Sequence, residues 1–297
     1  MSVADYLRGV WDLGRRSMRP ALPALAFLYF YRVGVGAYMA VAGHTTMLGT
    51  AAMADILPRV AVAASLLPVF MLIYTPMLPL QDSLLRGQPI TFTAAVRRVL
   101  ESAWALTVSG IAQGFAILAP FLLVCVAAAL VMPDQVGEAM DPTKLFTVVA
   151  VAIAGLFGMF LAGVLLMFST PALLLDGEGP LKSIGTSLRL VAAHPGAVLS
   201  RLLAFLFLSF VALIMLTMPT SILSQIGEAA GGQPMPMKVA TVIWTSAVAT
   251  LFFPFGVASL TVLYRFLVPY AGGARAGAPV PLDEEFQPTT ATRVPFE

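Results

Sequence analysis

The stretch FSTPALLLDGEGPLKSIGTSLRL, residues 168–190, decides how the rest of the chain is interpreted. It begins at the end of a long uncharged apolar run, turns through Gly177, and reaches a proline at position 180. Glycine permits a turn, and proline suits the first turn of a helix. The stretch therefore predicts an apolar helix, a sharp corner and a second, amphipathic helix. The acidic Asp176 and Glu178 are expected at the start of that second helix, where the macrodipole favours them.

Two segments of the chain combine an apolar face with a basic flank. In the segment after residue 180, Lys182 and Arg189 lie beside a stripe at helical spacing that consists of Leu181, Ile184, Leu188 and Val191. In an earlier segment, Arg97 and Arg98 lie beside a stripe that consists of Phe92, Val96, Val99 and Leu100. This combination is typical of a helix that rests on anionic lipid.

The composition places the chain in a membrane. Hydrophobic residues make up 59% of the 297 residues and charged residues only 11%, whereas soluble domains have about 45–50% and about 25%. Several uncharged stretches are as long as transmembrane helices, which need roughly 18 residues or more. The net charge of +2 is too small to indicate a nucleic-acid partner. The single cysteine, Cys125, forms no internal disulfide and is expected to be a small packing residue.

We predict an all-α, polytopic membrane protein with six transmembrane helices and juxtamembrane amphipathic helices. The apolar runs lie at 20–43, 58–80, 103–131, 145–174, 198–222 and 239–268. Ahead of the first run, apolar residues from Val3 to Trp11 recur at helical spacing among arginines, which indicates a helix in the membrane interface and not a signal peptide. Residues 271–297 are rich in Gly, Ala, Pro and Thr and are expected to form a disordered tail.

The distribution of basic residues predicts the orientation. Three of the loops hold only Arg59, Lys144 and Lys238. Thirteen lysines and arginines lie before span one, between spans two and three, between spans four and five, or around the end of span six: Arg8, Arg15, Arg16, Arg19, Arg86, Arg97, Arg98, Lys182, Arg189, Arg201, Arg265, Arg275 and Arg293. The positive-inside rule therefore places both termini and the two basic helices in the cytoplasm.

Similar patterns in the later parts of the chain predict an internal parallel repeat. Thr75-Pro76 recurs as Thr170-Pro171, Pro89 and Arg98 recur as Pro180 and Arg189, and QVGEA at 135–139 recurs as QIGEA at 225–229. Parallel repeats related by an axis along the membrane normal occur in membrane proteins. We predict one membrane domain, 1–270, made of units near 1–85, 86–176 and 177–270. Chance similarity in a biased composition is the alternative.

The opening stretch resembles a recurring signature of bacterial six-span membrane proteins. The shared features are an apolar helix end, an acidic turn, a proline, and a helix with Lys-Ser and a further Ser before a basic residue; here these are Asp176, Pro180, Lys182-Ser183, Ser187 and Arg189. The group includes the YciC-type inner-membrane proteins and the membrane domain of some glycerophosphoryl diester phosphodiesterases. The resemblance covers about residues 60–270 and implies an all-helical domain in the bacterial plasma membrane. It carries no activity, because the phosphodiesterase barrel and its metal motif are not in this sequence.

The sequence contains no motif for catalysis, for a metal or for a cofactor. His44 and His194 fall on opposite faces of the predicted membrane and cannot share a metal. Phosphate loops, nucleophile elbows and metalloprotease helices are not found. Gly110 and Gly114 form a small-xxx-small pair in span three, for which close helix packing is expected. We therefore expect no enzyme.

Arg32 is the one charge deep inside a predicted span. An arginine in hydrocarbon costs at least about 2.5 kcal/mol, so such a residue is a candidate for function. Three interpretations are open. The side chain extends to a membrane surface, it binds an anion or a lipid headgroup, or it forms a buried pair with Glu101 or Asp82.

These observations favour a non-catalytic membrane protein that interacts with anionic lipid or with partner proteins through its basic cytoplasmic helices. The candidate anion-binding and lipid-binding residues are Arg32, Arg97, Arg98, Lys182 and Arg189. The alternatives are a transporter or permease for a small solute or lipid, and a membrane enzyme that acts on lipid. The tail segment PLDEEFQP offers a short docking motif for a protein partner.

Overall fold

The computed structural model describes residues 1–42, 61–62, 65–131, 142–229 and 235–268. Their helices are α1 (Val3–Ala42), α2 (Leu66–Leu85), α3 (Phe92–Glu101), α4 (Ala103–Val131), α5 (Pro142–Leu166), α6 (Ser169–Asp176), α7 (Pro180–Ala193), α8 (Pro195–Ala229) and α9 (Met235–Leu267). No strand occurs in these ranges, and the predicted all-α class is confirmed.

Five helical segments of the described chain are long and apolar enough to cross a membrane. They are Val3–Met39, Ala103–Val124, Val149–Asp176, Pro195–Ile222 and Pro236–Leu267. They overlap five of the six predicted spans, as expected for a multi-pass membrane protein. The remaining span, 58–80, begins outside the described residues, and its described part belongs mainly to α2. The QVGEA pattern at 135–139, His44, Arg59, the side chain of Cys125 and the tail 271–297 also lie outside the description.

The helix α9 lies at the centre of the bundle and α8 lies at its edge. Of the most apolar 18-residue segment of α9, 61% is buried inside the protein. No part of the corresponding segment of α8 is buried. The helix α1 packs along α9, and α2 packs against both of them. Large apolar side chains such as Phe115 on α4 and Phe207 on α8 are exposed on the outside of the bundle. Exposed apolar surface of this kind fits contact with lipid.

The first turns of α1 are part of the core and do not lie separately on a membrane surface. The helix continues from Val3 to Ala42 through two prolines. Tyr6 and Val10 are buried in the same cluster as Leu263 of α9, and the Tyr6 hydroxyl donates to the Ser259 carbonyl at 3.3 Å. Of the predicted stripe, Tyr6 and Val10 thus face protein, whereas Trp11 is 60% exposed. An apolar stripe at helical spacing looks the same whether protein or lipid covers it, and here protein covers Tyr6 and Val10.

The corner predicted by the opening stretch is confirmed. Gly177 adopts φ 68° and ends α6, because this left-handed conformation suits glycine. Gly179 is the N-cap of α7, and Pro180 is its first residue. His194 ends α7, and α8 begins at Pro195.

Close helix packing is found in span four and not at the glycines predicted in span three. A Cβ on Gly110 or Gly114 would meet no atom within 4 Å, so that prediction is wrong. The tight contact comes instead from α5, where a Cβ on Gly158 would lie 2.8 Å from Cβ of Pro120 on α4. A Cβ on Gly155 would lie 2.4 Å from a methyl group of Val124. The spacing pattern identifies small residues but not which helix faces them.

Candidate functional site

The ends of α2, α6 and α9 meet at one polar end of the bundle. Arg265 lies between two aspartates there: its Nε donates to Asp82 Oδ1 at 2.6 Å, and its Nη1 donates to Asp176 Oδ1 at 2.8 Å. The side chains of Arg265 and Asp82 are only 7% and 8% exposed. One buried guanidinium therefore connects three helix ends. We call Asp82, Asp176 and Arg265 the Arg265 network.

Two further side chains bind to the aspartates of the Arg265 network. Arg86 donates from Nε to Asp82 Oδ2 at 2.9 Å while 43% of its side chain stays exposed. Tyr264 donates from its hydroxyl to Asp176 Oδ2. Each aspartate thus accepts hydrogen bonds from at least two side chains, which offsets the cost of burying its charge.

The positions of the two aspartates explain why an arginine lies between them. Asp82 lies in the last turn of α2, and Asp176 is the last residue of α6. The macrodipole makes a carboxylate unfavourable at this end of a helix, so both need a cation. The prediction that Asp176 starts the next helix is wrong, because Gly177 ends α6 directly after it. Glu178 does lie just before α7, 3.5 Å from Lys182 Nζ.

A second layer of polar contacts lies beside the Arg265 network. Gln81 donates from Nε2 to Ser17 Oγ at 3.0 Å and to the Pro254 carbonyl at 2.9 Å. Its Oε1 accepts from Thr261 at 3.1 Å. Ser17, Gln81 and Thr261 are fully buried. Both N–H groups of Gln81 are therefore used within the protein, and this layer holds α1, α2 and α9 together without a ligand.

The helix α7 buries Ser183, Ser187 and Val191 and exposes Leu181 and Leu188, so Val191 does not share the outer face predicted for it. Ser183 and Ser187 are buried, whereas Leu181 and Leu188 are 74% and 41% exposed. The basic Lys182 and Arg189 are exposed on the same outer surface. This arrangement is the opposite of the one that an amphipathic helix adopts on a soluble protein.

The inward face of α7 stabilises the break between α5 and α6. Ser187 Oγ donates to the Leu165 carbonyl at 2.7 Å and accepts from the Phe168 N–H at 3.0 Å. Residues 167–168 form a turn between the two helices, so these backbone groups lack the usual helical partners. The predicted fourth span, 145–174, is thus two helices joined by a turn at residues 167–168 that α7 supports.

The two arginines predicted on α3 have different surroundings. Arg97 is 84% exposed and lies 3.3 Å from Glu101. Arg98 lines a polar cavity of about 390 Å³ together with Arg86 and Gln88. We call it the polar cavity; it lies between the end of α2, the end of α6 and α3, and the Asp82 carboxylate also lines it. Two guanidinium groups and a carboxamide supply the donors that bind a phosphate or carboxylate.

Arg32 lines a second, larger cavity, which is open to the surface of the bundle. This cavity has a volume of about 560 Å³, and residues of α1, α2, α4, α5, α6 and α9 line it; we call it the apolar cavity. The predicted partners of Arg32 are bound elsewhere, because Asp82 binds Arg86 and Arg265 and Glu101 binds Arg97. The buried-pair interpretation of Arg32 is therefore wrong.

The predicted anion-binding residues do not form one site. Arg98 lines the polar cavity, Arg32 lines the apolar cavity, and Arg97, Lys182 and Arg189 are exposed on the surface. Sequence reasoning missed the central Arg265 network. The available signal was a charged residue close to the end of three apolar runs, which are Asp82, Asp176 and Arg265.

No family model matches the chain, and no curated protein or solved structure matches it either. The resemblance to YciC-type membrane proteins therefore stays a prediction that rests on the residues quoted above.

Proposed function

We propose that this chain is a non-catalytic integral membrane protein that binds anionic lipid at the cytoplasmic surface of the bacterial inner membrane. The outer face of α7 carries the proposal. Leucine and basic side chains share that face, and the polar serines point into the protein. A helix oriented in this way needs apolar surroundings for Leu181 and anionic groups for Lys182 and Arg189, and a membrane surface rich in anionic lipid supplies both.

The polar cavity supports the same proposal, because it offers a place where a single lipid headgroup could bind. Arg98 and Arg86 both line it, with Gln88 as a further donor. The Arg86 side chain is 43% exposed and also binds Asp82. A phosphodiester headgroup beside α3 would receive charge-assisted hydrogen bonds from both arginines. Leu100 and Trp104 follow Arg98 closely in the chain and are exposed. Their side chains would lie among the lipid tails and headgroups.

We also infer six crossings in three parallel units, with the basic helices and both termini on the cytoplasmic side. The meeting of α2, α6 and α9 supports this topology, because these helices end spans two, four and six. Units related by an axis along the membrane normal bring corresponding helix ends together. The contacts of Arg265 with Asp82 and Asp176 join the ends of three such helices.

Charge reversal on α7 tests the lipid-binding proposal. We expect Arg189→Glu to lower the number of anionic lipids retained by the purified full-length protein in native mass spectrometry. Phosphatidylglycerol is the anionic probe, and phosphatidylethanolamine is the zwitterionic one. Lys238→Glu in α9 is the matched control, because it makes the same charge change at the predicted outer end. Equal retention of phosphatidylglycerol by the wild type and Arg189→Glu would contradict the proposal.

A transporter or permease for a small solute or lipid is the second candidate function. The observation that favours it is the apolar cavity, which lies among helices of the bundle and contains one cation, Arg32. Uptake into proteoliposomes that is lost in Arg32→Ala would support this candidate. The absence of flux for every class of solute would count against it. A protein partner that docks on the PLDEEFQP tail is compatible with either function.

A further inference from the structure

The apolar cavity has the character of a ligand site. Its volume of about 560 Å³ is within the range of about 300–1,000 Å³ found for small-molecule sites. Most of its lining is apolar, with the aromatic rings of Phe70, Phe252 and Phe253 on one side. Its few polar side chains come from different helices, and they are Arg32, Tyr74, Gln113 and Thr170. Apolar walls with a few convergent polar groups are typical of binding sites.

The polar groups in the apolar cavity retain hydrogen-bonding capacity. Among the described residues, Arg32 and the Tyr74 hydroxyl have no hydrogen-bond partner. Gln113 donates to Ser109 Oγ at 2.8 Å, which uses one of its two N–H groups. A guanidinium that is half-buried beside apolar walls attracts an anion more strongly than one in water. The cavity therefore favours a ligand with one anionic group.

Arg32 lies far from the polar end of the bundle, although other lining residues of the apolar cavity, such as Leu260, lie closer to it. Arg32 follows Arg19 by thirteen residues on α1, which corresponds to about 20 Å along a helix. The Arg32 side chain is thus well beyond the reach of the Arg265 network. In the proposed topology Arg32 lies at a depth inside the hydrocarbon, where water is scarce and the surroundings suit an apolar chain.

We propose that the apolar cavity binds an amphipath with a single long chain, whose carboxylate or phosphate lies on Arg32. The acyl chain packs against Phe70 and Phe253, and the Tyr74 hydroxyl donates to the same anionic group. This site differs from the proposed headgroup surface of α3 and α7, because it lies in another part of the bundle and uses none of their residues. The proposal relies on the membrane topology inferred above but not on lipid binding at α7.

Equilibrium binding to the full-length protein in nanodiscs of zwitterionic lipid tests the site. The probes are labelled palmitate, labelled palmitoyl lysophosphatidate and uncharged hexadecanol. We expect Arg32→Met to weaken the binding of at least one anionic probe by about tenfold or more, as the loss of a charge-assisted hydrogen bond implies. Binding of hexadecanol should not change. The anion that is affected identifies the headgroup as a carboxylate or a phosphate.

Three further variants make the test independent of the folding of Arg32→Met. Arg32→Lys keeps the charge and should retain anion affinity to within about threefold, a difference under 1 kcal/mol. Gly256→Leu places a side chain in the cavity and leaves Arg32 in the sequence; a Cβ there meets no atom within 4 Å, and this variant should weaken the binding of all three probes. Arg189→Glu should leave palmitate binding unchanged, which separates this site from the α7 surface. Wild-type affinity for both anions in Arg32→Met, or unchanged binding in Gly256→Leu, would overturn the proposal.

Discussion

At the residue scale, Arg265 decides how three helices end. Asp82 and Asp176 both lie at helix C-termini, where a carboxylate is unfavourable, and both bind the same guanidinium. Removing one partner of a buried ion pair costs more than the pair contributes, because the remaining charge is left without compensation. The network is thus a structural requirement of this end of the bundle.

We expect Arg265→Met to lower the free energy of unfolding by about 3–5 kcal/mol, because the buried Asp82 and the partly buried Asp176 both lose the cation that they share. Unfolding in mixed detergent micelles, followed by circular dichroism, measures the change. Arg97→Met is the matched control, since the exposed pair of Arg97 with Glu101 contributes about 1 kcal/mol or less. Similar small losses in both variants would contradict the role assigned to Arg265.

At the scale of single elements, the glycines of α5 allow it to lie close to α4. A Cβ on Gly158 would lie 2.8 Å from Cβ of Pro120, and proline cannot move aside as a flexible side chain does. We expect Gly158→Ala to destabilise the protein by about 1–3 kcal/mol through overpacking. Gly110→Ala on α4 is the control and should be neutral or stabilising by up to about 1 kcal/mol, because only helix propensity changes there. Thermal unfolding in detergent gives both values, and equal effects would refute the assignment.

The contact between α7 and the corner of α5 and α6 gives a second prediction at this scale. Ser187→Ala removes a hydroxyl that binds both the Leu165 carbonyl and the Phe168 N–H. We expect a loss of about 1–3 kcal/mol, because these buried groups are left without that partner. Ser183→Ala should cost less, since its hydroxyl binds only the Pro180 carbonyl of its own helix. Faster hydrogen exchange at Phe168 in Ser187→Ala alone would localise the effect.

At the scale of the whole molecule, local sequence patterns predict the turn at Gly177 and the apolar helices. They do not predict contacts between residues that are far apart in the chain. Gly177 and Pro180 act within one turn, so their effect is visible in the sequence. The stripe that contains Tyr6 and Val10 was also visible, but whether lipid or α9 covers it depends on residues some 250 positions away. The pairing of Asp82 with Arg265 has the same origin, because it joins residues 183 positions apart.

The predicted site residues show the same difference between what local patterns predict and what long-range packing decides. Arg98 and Arg189 were identified as surface cations because charge beside an apolar stripe is a local pattern. The fact that Arg98 lines the same cavity as Arg86 depends on how α3 packs on α2. Arg32 was identified by its depth in a span, but its place in the apolar cavity depends on the other helices that line it.

Labelling of single cysteines in intact cells tests the membrane arrangement most directly. In a Cys125→Ala background, a cysteine replaces Lys182 on α7 or Lys238 on α9, and a membrane-impermeant maleimide is added before and after permeabilisation. We expect the Lys182→Cys protein to react only after permeabilisation and the Lys238→Cys protein to react in intact cells. Reaction of Lys182→Cys in intact cells would place the basic helix outside and contradict the account.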